Sequence, residues 1–133
     1  MTATALIVED EIFVALDLER ILTDAGYKVK AIAADRSTAL QEAGECNFAL
    51  VDINLRDGPT GPDLARTLAQ EYGLKVVFVT ANPGQIGDPG SALAYVRKPF
   101  SEAAILAAAA LASASADHPA NDDVVLIGQT QIG

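Results

Sequence analysis

The sequence is poor in several residue types, and each shortage limits what the protein can be. Cys46 is the only cysteine, so an intramolecular disulfide bond is excluded. The chain has no tryptophan and few other aromatic residues, so a packed core must be built mainly from aliphatic side chains. No apolar run approaches the roughly 20 residues that a helix needs to cross a bilayer.

Basic residues are also scarce, with 9 Lys and Arg against 18 Asp and Glu, and the formal net charge is -9. This balance argues against direct binding to nucleic acid or to an anionic membrane, and it fits binding of a cation or of a basic protein surface. The N-terminal sequence "MTATALIVEDE" lacks the basic region of a signal peptide. We therefore expect a soluble, cytoplasmic protein, and 133 residues fit one domain of ordinary size.

Short apolar runs alternate with longer amphipathic segments along most of the chain. This alternation predicts a parallel sheet with helices on both faces. Residues 81–92 contain two prolines and three glycines, so we expect a loop there with at most one helical turn. The predicted strands are residues 4–8, 28–33, 48–52, 75–80 and 93–97, and the predicted helices are residues 12–25, 36–44, 61–72 and a last helix from the cap Ser101 to residue 116.

Asp117, Pro119 and the pair Asp122–Asp123 are unfavourable in a helix, so the last helix is predicted to end before them. They are followed by one apolar tetrapeptide, Val124 to Ile127. One interpretation is a flexible C-terminus, and the other is an additional strand or a docking segment. We therefore assign residues 1–116 to the folded domain and residues 117–133 to a tail.

Polar side chains follow the predicted strands at their carboxyl ends, which is where parallel sheets of this kind bind ligands. Carboxylates brought together at this edge repel one another, and a divalent cation removes the conflict. Oxygen ligands alone favour Mg²⁺, and zinc is disfavoured because the only histidine, His118, lies in the tail. The polar residues are Glu9, Asp10 and Glu11 after the first strand, Asp52 at the end of the third, Thr80 at the end of the fourth and Lys98 after the fifth.

Lys98 and Thr80 add chemistry to these acids. The Lys98 ammonium can hold Asp52 and later neutralise a phosphoryl oxygen, and the bond to Pro99 can be cis. Thr80 offers a hydroxyl that can donate to the same phosphoryl group. A carboxylate nucleophile, a cation, an ammonium and a hydroxyl are the parts needed for phosphoryl transfer to an aspartate.

The ordered set Glu9–Asp10, Asp52, Thr80 and Lys98–Pro99–Phe100 resembles the receiver domain of two-component response regulators, over roughly residues 4–116. The resemblance implies an α/β, flavodoxin-like, doubly wound sheet of five parallel strands in the order 2-1-3-4-5, with helices on both faces. The proline and glycine content of the loop before the fifth strand predicts that the family's fourth helix is short or irregular here.

The resemblance also implies a role for individual residues. Asp52 would be the phosphoacceptor, and Glu9, Asp10 and Asp52 would hold Mg²⁺ together with the backbone carbonyl of Asn54. Thr80 would be the switch hydroxyl and Lys98 the phosphate-binding lysine. Tyr95 matches an aromatic switch that turns inward on activation, although packing against the last helix explains this tyrosine equally well.

The function that this resemblance implies is a phosphoryl-accepting switch of bacterial signalling. A histidine kinase or a phosphotransfer protein would phosphorylate it, and it would act through protein–protein contacts as a monomer or a weak dimer. It is similar to stand-alone, chemotaxis-type regulators, and "FVTANPG" resembles a motif of single-domain receivers from alphaproteobacteria. It would not be an enzyme beyond its own phosphotransfer and autodephosphorylation, and its target is not named by the sequence.

Two alternatives stay open at this point. One is an interaction module on the same fold that is never phosphorylated. The other is a magnesium-dependent phosphatase with an aspartyl intermediate, which normally needs a second acid two residues after the nucleophile. Position 54 is Asn, which cannot transfer that proton.

Overall fold

Strands and helices alternate through the computed structural model, which describes residues 3–55, 58, 60–87, 92–113 and 121–127. A single 3₁₀ turn, Pro83–Gln85, lies between the fourth and fifth strands. The strands are β1 (Thr4–Val8), β2 (Lys28–Ala33), β3 (Phe48–Val51), β4 (Lys75–Thr80), β5 (Ala94–Arg97) and β6 (Val124–Leu126), and the helices are α1 (Ile12–Asp24), α2 (Arg36–Glu42), α3 (Gly61–Tyr72) and α4 (Glu102–Ala112).

The six strands form one sheet in the order β2-β1-β3-β4-β5-β6. The first five strands are parallel, so the predicted flavodoxin-like fold and the order 2-1-3-4-5 are confirmed. The predicted number of strands was one too few, because β6 pairs antiparallel with β5. Of the two interpretations of the tail, the additional strand is therefore the one seen over Val124–Leu126, while residues 114–120 and 128–133 lie outside the described part.

The core consists of two apolar clusters, one on each face of the sheet. Side chains of a strand point alternately to the two faces, so Ala49 and Val51 belong to the cluster under α2 and α3, whereas Phe48 and Leu50 belong to the cluster under α1 and α4. The central strands are buried on both faces, which explains why their sequences are almost entirely apolar.

Helix α1 buries a narrower stripe than its sequence suggests. Leu18, Ile21 and Leu22 are buried as the helical spacing predicts. Ile12 and Leu16 follow nearly the same apolar spacing but are exposed, because the sheet covers the face defined by Ala15 and Leu18 instead.

The ends of several elements differ from the predicted limits by a few residues. Helix α4 begins as expected, since the Ser101 hydroxyl accepts a hydrogen bond of 3.0 Å from the Ala104 N–H. Its described residues end at Ala112, with Ser113 as the C-terminal cap, and residues 114–116 of the predicted helix lie outside the described part. The predicted loop at 81–92 contains only the single 3₁₀ turn among its described residues. None of the described helices is long and apolar enough to span a membrane.

Candidate functional site

The sheet places two of the predicted acidic residues side by side. β1 and β3 are neighbours with Val8 opposite Val51, so Glu9 and Asp52 each follow a strand at the same edge. The backbone pairing continues past both strands, because the Asp52 N–H donates to the Val8 carbonyl at 2.9 Å. The position of the two carboxylates is therefore determined by the sheet rather than by a flexible loop.

Glu9, Asp10 and Asp52 form a compact set of oxygen donors. One carboxylate oxygen from each residue lies within 4.8 Å of the other two. Glu9 and Asp52 are buried, whereas Asp10 is exposed, so the set opens to solvent on one side. Carboxylate oxygens at this spacing are the ligands that Mg²⁺ prefers, and the residues therefore fit the predicted metal.

Lys98 joins these acids from the end of β5. Its Nζ lies 2.7 Å from Glu9 Oε1, 3.2 Å from Asp52 Oδ2 and 3.5 Å from Glu11 Oε1. Only 13% of its side chain is exposed, so the ammonium is held between the carboxylates. The peptide bond from Lys98 to Pro99 is cis.

Burial and charge act in opposite directions on the ionisation of this cluster. Burial raises the pKa of Glu9 to about 7, and the charge of Asp52 adds to this, although hydrogen bonds from Lys98 and from the Glu11 N–H oppose it. Burial alone would lower the pKa of Lys98, but its contacts with Glu9 and Asp52 outweigh that effect and raise the pKa. Lys98 thus stays a cation, and a divalent ion at the site would favour the charged form of Glu9.

A cavity of about 320 Å³ opens beside the cluster and gives access to Asp52. Asp52 is 7% exposed, so the small exposed part of its side chain faces this space. A cavity of this size beside a carboxylate can admit a small anionic group. Its lining consists of Asp10, Glu11, Asp52, Asn54, Leu55, Ala81, Asn82 and Lys98.

Thr80 lies at the carboxyl end of β4, where the sequence predicted it. It is fully buried, and its hydroxyl accepts a hydrogen bond of 3.0 Å from the Asn82 N–H. Ala81 and Asn82, which directly follow it, line the cavity. The Thr80 hydroxyl is therefore engaged by the chain itself at one edge of the site.

Tyr95 lies on β5 opposite Phe78 of β4 and Val125 of β6. Its side chain is half-buried and packs against the cluster under α2 and α3. The alternative that Tyr95 packs against the last helix is wrong, because α4 covers the opposite face of the sheet.

Asn54 lies on the wall of the cavity and makes two contacts. Its N–H donates to Asp52 Oδ1 at 3.3 Å, and its side-chain amide donates to Gln85 Oε1 at 2.7 Å. The contact with Gln85 was not predicted, because the two residues are 31 positions apart and an exposed glutamine carries no pattern of its own.

Gly61 is a second residue that sequence reasoning missed. A Cβ at this position would lie 2.5 Å from the Ile53 Cα and 2.8 Å from the Asp52 carbonyl oxygen. Only glycine lets the first turn of α3 approach the backbone that carries Asp52 this closely. Its position just before Pro62 was the available signal, but the sequence alone ties it only to a helix start.

Comparison with known proteins agrees with this geometry. The sequence model of the response regulator receiver domain matches residues 5–110. The phyllosphere-induced regulator PhyR of Methylorubrum extorquens is 33% identical over 112 residues, which are 80% of this chain and 42% of that protein. The chain thus spans less than half the length of this relative.

Two solved structures show the same fold in three dimensions. The solution structure of the PhyR receiver domain from Erythrobacter litoralis has a TM-score of 0.78 and 27% identity, and the match covers 90% of this chain and 96% of that one. The crystal structure of PhyR from Bartonella quintana, described as an anti-anti-sigma factor, has a TM-score of 0.66 and 26% identity over 86% of this chain and 47% of that one. The chain belongs to the response regulator receiver domain family.

Proposed function

We propose that this protein is a signalling switch that accepts a phosphoryl group on Asp52 from a histidine kinase or a phosphotransfer protein. The observation that carries the proposal is the convergence of Lys98 with the carboxylates of Glu9, Asp10 and Asp52 beside an open cavity. Family membership supports the same function at the level of two-component signalling.

Each residue of the cluster has a defined task in this proposal. An Asp52 carboxylate oxygen attacks phosphorus, the bond from phosphorus to the donor's histidine nitrogen breaks, and the electron pair leaves with the imidazole. The Lys98 ammonium, now 3.2 Å from Asp52, neutralises charge on the transferred group. Glu9, Asp10 and the backbone carbonyl of Asn54 would join Asp52 in holding Mg²⁺, which supplies further positive charge when bound.

The switch itself would use Thr80 and Tyr95. The Thr80 hydroxyl accepts from the Asn82 N–H, and it would donate its own proton to the phosphoryl group. Tyr95, which is half-buried beside β6, would change its packing against the cluster under α2 and α3. Target proteins would then distinguish the two states through this surface.

An apolar surface next to the site is suited to a protein donor. A cavity of about 790 Å³ between α1 and the segment after β5 shares Lys98 with the smaller cavity and is lined in part by Phe13, Leu16 and Phe100. Phe13 is 84% exposed, and its neighbours Ile12 and Leu16 on α1 are exposed as well, so they form an apolar patch of the kind that partners cover. A partner seated here would lie against the edge that carries Asp52.

The proposal is tested by labelling with acetyl phosphate and Mg²⁺, followed by intact-mass measurement. We expect the wild-type protein to gain one phosphoryl group, to lose it slowly, and to remain unlabelled when EDTA removes the metal. Asp52→Asn should gain nothing, because an amide oxygen is a much weaker nucleophile.

Asp24→Asn is the matched control, since Asp24 is an exposed aspartate at the end of α1. It should be labelled like the wild type. A wild-type protein that takes up no phosphoryl group, or an Asp52→Asn variant labelled equally well, would refute the proposal and favour a passive interaction module.

A further inference from the structure

The 3₁₀ turn after β4 is connected to the phosphoacceptor by a chain of four hydrogen bonds. Asn54 forms the first two, from its N–H to Asp52 Oδ1 at 3.3 Å and from its side-chain amide to Gln85 Oε1 at 2.7 Å. The Gln85 N–H then donates to the Asn82 carbonyl at 2.9 Å, and the Asn82 N–H donates to Thr80 Oγ1 at 3.0 Å.

This chain links the two sides of the cavity. Asn54 lies on the wall that follows β3, and Asn82 lies on the wall that follows β4. The two walls are separate segments, and Gln85 joins them through its side chain and its backbone. The position of the turn is fixed by the next residue, Ile86, which is buried in the cluster under α2 and α3.

We propose that Gln85 is a positioning residue that determines how long the phosphoryl group stays on Asp52. This inference rests on the proposed function. Gln85 touches neither the acids nor Lys98, and it acts by holding Asn54 and the opposite wall together over the cavity.

The reaction that it slows is hydrolysis of the aspartyl phosphate. A water oxygen bonds to phosphorus, the bond from phosphorus to the Asp52 oxygen breaks, and the carboxylate leaves with the electron pair. The water proton passes to the phosphate or to solvent. Because the attacking water must enter the same 320 Å³ cavity, the distance between its walls controls this step.

Gln85 is exposed, so its substitution should not disturb folding. With the side-chain contact removed, Asn54 and the turn are free to separate, and water gains access. We expect Gln85→Ala to lose its phosphoryl group about three to ten times faster than the wild type, which corresponds to the loss of one hydrogen bond.

A double-mutant cycle separates positioning from a general loosening of the loop. The wild type, Gln85→Ala, Asn54→Ala and the double variant are labelled with acetyl phosphate, freed of the donor, and followed by intact mass. If Gln85 acts through Asn54, Gln85→Ala should accelerate decay in the wild-type background and have no further effect in the Asn54→Ala background. Gln41→Ala, an exposed glutamine on α2, should decay at the wild-type rate.

Two results would overturn the inference while leaving phosphorylation of Asp52 intact. One is equal decay of Gln85→Ala and the wild type, and the other is an equal acceleration in both backgrounds. Failure of the wild type to take up a phosphoryl group would instead refute the proposed function, and the inference with it. Amide NMR of the unphosphorylated proteins adds a direct test, because Gln85→Ala should shift the Asn54 side-chain amide, and an unchanged resonance would contradict the contact.

Discussion

At the scale of single residues, the site combines several carboxylates with a single ammonium group. Lys98 contacts the carboxylates of three residues, and two of these residues, Glu9 and Asp52, are buried. A buried charge is costly without a partner, so the lysine stabilises the cluster while the metal is absent. The same cluster remains short of positive charge, which is the property that a cation site requires.

The raised pKa of Glu9 predicts how stability depends on pH when metal is absent. Burial holds this pKa near 7, against 4.5 for an unperturbed glutamate. The folded state therefore binds more protons than the unfolded state between these values, so this stabilising contribution is complete below about pH 4.5 and is lost as pH rises through 7. We expect a loss on the order of 2 kcal/mol across the window, measured as a falling Tm between about pH 5 and 8 in EDTA.

Glu9→Gln is the comparison for this experiment, because its amide has no proton to lose in this range. Its Tm should change less steeply with pH than that of the wild type. Mg²⁺ should raise the wild-type Tm most at the upper end of the range, where Glu9 is ionised. Parallel curves for the two proteins would show that Glu9 does not titrate as described.

The residues of the site differ in how far the sequence could predict them. Glu9, Asp52 and Lys98 follow apolar runs, and parallel strands bring such positions to one edge, so their proximity could be predicted from the pattern. The contact of Asn54 with Gln85 depends on how two loops fold over the sheet, and no periodicity encodes it.

At the scale of elements, the start of α3 is fixed against the loop that carries Asp52. The Gly61 N–H donates to the Ile53 carbonyl at 3.0 Å, and a Cβ would meet backbone atoms that cannot move aside cheaply. We expect Gly61→Ala to lower the free energy of unfolding by about 1–3 kcal/mol and to slow labelling of Asp52. Urea unfolding and the acetyl phosphate assay measure the two effects.

Gly44→Ala is the control for this substitution, since a Cβ at Gly44 would meet nothing within 4 Å. It should be as stable as the wild type or slightly more stable, and it should be labelled normally. Equal behaviour of the two variants would mean that the approach at Gly61 does not constrain the site.

The elements themselves were largely predictable, with two instructive exceptions. The apolar runs of β1, β3 and β4 became strands because central strands of a parallel sheet are buried on both faces. The three residues of β6 are too few for a periodic signal, so only pairing with β5 distinguishes them from a loose tail. In α1, the apolar spacing is compatible with a buried Leu16, but Leu16 is exposed because the sheet covers a different face of the helix.

At the scale of the whole molecule, we propose that residues 1–116 form the receiver domain and that the tail completes its sheet. A chain ending after residue 116 lacks β6 and leaves the edge of β5 without a partner. We expect this truncation to lower the free energy of unfolding by about 1–3 kcal/mol and to promote self-association through the free edge. Urea unfolding and sedimentation velocity measure both.

A chain ending at Ile127 is the matched control, because it keeps β6 and the N–H of Ile127 that donates to the Leu93 carbonyl at 2.9 Å. It should behave like the full chain. If the shorter chain were equally stable and stayed monomeric, β6 would contribute little to the domain.

The segment from Val124 to Ile127 reaches both sides of the sheet within four residues. Val124 packs against the cluster under α1 and α4, and Ile127, like Tyr95, packs against the cluster under α2 and α3. Pulling this segment away would therefore loosen the two halves of the interior together. A protein that bound this segment would therefore affect the packing on both faces of the sheet, including the face that it does not contact.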